Sequence, residues 1–171
     1  MTTTRPGISM ATRVLIVADS EARWARGLPF LLCGSVSVTL GGIAAAISGP
    51  IEWEQGSWVA AFLVLVTGVG QIGLGMGQAF LSREIPTRVT VTIECTLWNL
   101  GSLAVMVGTI IEAPLLVSVG GLTLLVAVAL LANTVRATNS RHTWLRRSYQ
   151  GLVLLLLIST PIGIALSWIR S

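Results

Sequence analysis

Residues 114–135 read PLLVSVGGLTLLVAVALLANTV, a run without one charged side chain. An α-helix rises 1.5 Å per residue and the hydrocarbon core of a bilayer is about 30 Å thick, so about 20 such residues are enough to cross it. Four further runs have the same character: 27–48, 57–81, 89–111 and 149–169. The expected fold is an all-α integral membrane bundle of five transmembrane helices. Composition agrees, with 53% hydrophobic and only 11% charged residues in a chain of 171. A soluble domain carries about 25% charged residues, because its outside must face water.

The interruptions between the runs have local causes. Gly49-Pro50 ends the first, since proline has no amide hydrogen and cannot continue a helix. Glu52 and Glu54 then make the loop aqueous. Ser82 to Pro86 separates the second run from the third. Glu112-Ala113-Pro114 is a short turn, with Pro114 suited to the first turn of a helix. The longest connection, 136–147, is polar. The first run is longer than the 7–15 residues of a signal-peptide core and reads as a retained span.

Charge placement gives an orientation. The chain has 11 basic residues, all arginine. Ten of them, Arg5, Arg13, Arg23, Arg26, Arg83, Arg88, Arg136, Arg141, Arg146 and Arg147, fall in three segments on one side of a five-span layout. The loops on the other side carry Glu52, Glu54 and Glu112 and no arginine. The positive-inside rule then puts the N-terminus in the cytoplasm and the C-terminus outside. A membrane-orientation pattern, rather than a nucleic-acid surface, accounts for the net charge of +4. Arginine without lysine points to a GC-rich, bacterial genome, so the expected location is a bacterial inner membrane. Two parts follow: a cytoplasmic segment 1–26 and a transmembrane domain 27–171. Residues 10–26 mix apolar and charged side chains; they read either as a helix lying on the inner membrane surface or as a lead-in to the first span.

Glu94 is the most informative single residue, because an ionisable side chain within a span is costly and normally faces the bundle interior. It lies about 8 Å in from the cytoplasmic end of its span at 1.5 Å per residue. Matching depths across the hairpin puts Gln78 at the level of Glu94 and Gln71 near that of Asn99. These four residues form either interhelical hydrogen-bonded glue or the lining of a small polar path. Gly73 and Gly77 are spaced for close helix approach, as are Gly101 and Gly108 two turns apart. They serve packing within the bundle or docking onto another subunit. Arg141, Arg146 and Arg147 are placed to meet anionic lipid headgroups or only to set topology. Pro161 should kink the fifth span.

The two cysteines, Cys33 and Cys95, form no Cys-x-x-Cys pair, so neither a disulfide framework nor a zinc site is expected. No catalytic set of side chains and no phosphate-binding glycine loop is recognisable, and no cofactor or metal is expected. Expected partners are membrane lipids and other membrane subunits or further copies of the chain. Three functions follow in order. The first is a non-enzymatic accessory or scaffold subunit of a larger inner-membrane complex, one that transports lipids or apolar solutes. The second is a small oligomeric transporter or channel with Glu94, Gln71, Gln78 and Asn99 along its path. The third is a membrane enzyme using Glu94 as acid or base.

Overall fold

The computed structural model describes residues 10–136 and 147–158, and among them every regular element is helical. In chain order these are α1 (Met10–Ser48), α2 (Gly56–Phe62), a π-helical segment (Leu63–Gly70), α3 (Gln71–Leu81), α4 (Arg88–Ile110), α5 (Pro114–Arg136) and α6 (Arg147–Ile158). The segments from Gly56 to Leu81 run on without a break as one rod. Four helices are therefore long and apolar enough to cross a membrane: α1, the Gly56–Leu81 rod, α4 and α5. The chain has the fold of a helical membrane protein. The described part of the fifth expected span is α6, an apolar helix shorter than a membrane crossing. The rest of that span, Pro161 included, and Arg141 and Arg146 lie outside the described residues.

Helix ends follow local chemistry. Thr87 starts α4 from an extended conformation, and its hydroxyl accepts the Thr90 amide at 3.1 Å. That bond satisfies one of the amides every helix N-terminus leaves open. The C-terminus of α3 is closed from another helix. Arg23 of α1 donates through Nη1 to the carbonyls of Ala79 (3.2 Å) and Ser82 (2.9 Å), and through Nη2 to that of Arg83 (3.4 Å). Its Nε holds Asp19 at 2.8 Å. A guanidinium here meets both the unpaired carbonyls and the negative end of the helix dipole. α1 runs unbroken through Arg26 and Gly27 from Met10, about 58 Å at 1.5 Å per residue. That is roughly twice the hydrocarbon thickness, so the helix projects well beyond it.

The helices approach closely wherever glycines line the contact. A β-carbon at Gly34 would lie 2.9 Å from the Gly68 carbonyl oxygen, so α1 and the π-helical segment touch backbone to backbone. A β-carbon at Gly120 of α5 would come within 2.7 Å of the Gly101 carbonyl oxygen of α4. The core gathers Phe30, Leu74, Trp98, Ala127 and Leu131 from four spans, with Tyr149 and Val153 from α6. A second, smaller apolar cluster of Ala44, Val59 and Ala60, with Met106 and Leu63 packed on it, lies toward the end that carries Glu52 and Glu54.

Candidate functional site

Polar side chains collect where the Gly56–Leu81 rod meets α4. Gln78 and Glu94 are each 1% exposed, and Gln78 Nε2 donates to Glu94 Oε2 at 2.7 Å. Two helical turns further along the rod, Gln71 Nε2 reaches the Cys95 thiol at 3.4 Å. Asn99 Nδ2 donates to the Cys95 carbonyl at 2.8 Å and approaches the same thiol at 3.6 Å. All four polar residues singled out from the sequence thus lie together. Glu94 and Gln78 pair directly, while Gln71 and Asn99 meet through Cys95. The Thr134 hydroxyl of α5 stands beside the Glu94 carboxyl, and the Tyr149 ring of α6 packs on Gly77, next to Gln78.

The cluster extends beyond those four residues. Trp98 and Ser102 follow Glu94 at steps of four along α4, and Thr67 precedes Gln71 by four along the rod. Such steps keep side chains on one face of a helix. All three residues are buried, and Trp98 rests against Gly70 of the opposing helix. Seven buried side-chain atoms have no hydrogen-bond partner among the described residues: Thr67 Oγ1, Gln71 Oε1, Glu94 Oε1, Trp98 Nε1 and Ser102 Oγ on these two helices, with Ser82 Oγ just past the end of the rod and Tyr149 Oη on α6. A buried polar atom left unpaired costs about 1–3 kcal/mol, so a row of them calls for polar company.

The four-residue spacing of Glu94, Trp98 and Ser102 was readable in the sequence but gives no reason to join a tryptophan to a polar row. Tyr149 and Thr67 carried no signal, because only the fold buries their hydroxyls. The cysteines hold a further surprise of placement: Cys33 of α1 and Cys95 of α4 are free thiols whose sulfurs stand 3.9 Å apart. Among the described residues no group of three or more metal-ligating side chains assembles.

The glycines face partners inside the chain. A β-carbon at Gly77 would lie 2.5 Å from the Tyr149 ring, and one at Gly73 would meet Leu152 at 3.1 Å, so both glycines receive α6. Gly101 and Gly108 receive α5 at Gly120, Leu124 and Val117. Arg147 is exposed at the start of α6. Compared with models of protein families, with curated proteins and with solved structures, the chain matches none.

Proposed function

We propose that this chain is a five-span protein of a bacterial inner membrane, N-terminus in the cytoplasm, that works as a small transporter or channel for a small polar species. One observation carries the reading. Glu94 is buried between helices long enough to span a membrane, and one of its carboxylate oxygens is unpaired in a row of similarly unpaired polar atoms. An acid within a span is by default a sign of function, because it is expensive to keep there. If hydrogen-bonded glue were its whole role, those atoms would find one another. The test is flux: purified protein in sealed liposomes should dissipate an imposed ion gradient, and Glu94→Gln should stop it. A gradient that holds as well as in protein-free liposomes counts against transport.

A second reading, the accessory subunit of a larger complex, is favoured by a different observation. Ser35, Thr39, Gly42 and Ala46 form an exposed row of small residues along α1, and a β-carbon at Gly42 would touch nothing within 4 Å. Such a row admits the close approach of another helix. Under this reading Gly42→Leu strips partner proteins from the chain purified in mild detergent; under the first it leaves flux and composition unchanged.

A further inference from the structure

We propose that the seam between the Gly56–Leu81 rod and α4 holds a file of water molecules that carries protons to and from Glu94. The inference rests on the transport reading and names the species that moves.

The argument begins with extent. From Ser82 to Thr67 the chain covers about 20 Å, roughly two thirds of the hydrocarbon thickness. Unpaired polar atoms recur along that length on both sides: Gln71 and Thr67 on the rod with Ser82 just past its end, and Glu94, Trp98 and Ser102 on α4. Each is nine-tenths or more buried, so bulk solvent cannot satisfy it. The chemistry of the row then selects the occupant. The Trp98 indole nitrogen only donates, the free Gln71 and Glu94 oxygens accept, and the hydroxyls of Ser102, Thr67 and Tyr149 do both. A metal cation needs acceptors alone and would be repelled by the indole hydrogen. Water donates and accepts, and buried waters typically bridge two to four such groups.

A chain of waters ending at a carboxyl group is a route for protons. Glu94 is the one carboxylic acid in the seam. The other titratable groups around it are the thiols of Cys95 on α4 and Cys33 on α1 and the phenol of Tyr149 on α6, all neutral when protonated. No arginine or lysine among the described residues pairs with it. It can therefore accept a proton and release it without exchanging a salt-bridge partner. Four residues beyond Thr67 and Ser102, Leu63 and Met106 pack on the apolar cluster of Ala44, Val59 and Ala60, and there the proposed file ends. Opening that cluster completes the path.

The test uses the full chain in liposomes with a pH-sensitive dye inside, under an imposed pH gradient and, separately, under sodium and potassium gradients. Wild-type protein should move protons and neither metal ion. Glu94→Gln should abolish proton flux. Thr67→Val, which removes one hydroxyl without changing shape, and Ser102→Ala should each lower it about tenfold, the effect of about 1.4 kcal/mol on the barrier. Thr123→Val, on the exposed face of α5, should leave it unchanged. Circular dichroism and melting of each variant confirm folding. Flux of sodium or potassium in place of protons overturns the proton file and leaves the transport reading standing. Proton flux indifferent to Glu94→Gln, or to both hydroxyl removals, overturns the file as well. Absence of any flux from folded wild-type protein overturns both.

Discussion

Glu94 shows how far a single residue can be read. Its depth within a span predicted a partner on the neighbouring helix, and Gln78 is there at 2.7 Å. Glutamine at position 94 has nearly the same shape and can still bond to Gln78, so Glu94→Gln should melt within about 1 kcal/mol of wild type. Glu94→Leu leaves the Gln78 amide buried and unpaired and should cost about 1–3 kcal/mol, measured by thermal unfolding in detergent. Equal melting of the two variants would show that the pair contributes nothing to folding. A second residue could not have been picked out in advance. Glu112 ends α4 at φ 54°, in the left-handed region that side chains with a β-carbon avoid, and the Ala113 amide then reaches back to the Gly108 carbonyl at 2.8 Å. Glu112→Gly should raise stability by about 1 kcal/mol, and a fall in melting temperature would count against strain there.

At the scale of elements, apolar length and the breakers Gly49-Pro50, Pro86 and Pro114 set the helix ends to within a residue or two of those observed for three spans. What the pattern could not show is the winding of Leu63–Gly70, where the helix widens to a π-helix. Glycine makes this winding accessible: β-carbons at Gly68 and Gly70 would crowd the carbonyls of Leu63 and Leu65 at 3.0 and 3.2 Å. Windings of this kind recur at functional sites, and this one carries Thr67 of the seam. The glycine spacings were legible, but their partners were not, because spacing marks a close approach without saying which helix makes it. Gly77→Leu should destabilise the bundle by about 1–3 kcal/mol or more, since even a β-carbon meets the Tyr149 ring. An unchanged melting curve would show that α6 does not pack on this face in solution. Thr87→Ala should cost about 1 kcal/mol by opening the α4 cap.

For the whole molecule, the proposed orientation makes a direct prediction. In a chain whose Cys33 and Cys95 are replaced by alanine, cysteines at Glu54 and Glu112 should react with an impermeant thiol reagent from outside the cell, and one at Ser140 should not. The reverse labelling pattern would invert the topology. Val59→Thr keeps the shape of the small apolar cluster but gives it a hydroxyl, so it should increase proton leak if that cluster is the closed end of the path. No increase would place the barrier elsewhere. The sequence by itself determined that this protein belongs in a membrane as helices and where most of them end, because hydrophobic length and helix breakers act locally, within one segment. It also placed Glu94, Gln71, Gln78 and Asn99 at matching depths, since depth along a rigid rod is a matter of counting residues. Only the tertiary structure decided which faces meet. The azimuth of each helix is fixed by contacts between residues far apart in the chain: Arg23 on the end of α3, Tyr149 against Gly77, Cys33 beside Cys95. Those contacts bury together a few polar residues, each ordinary alone.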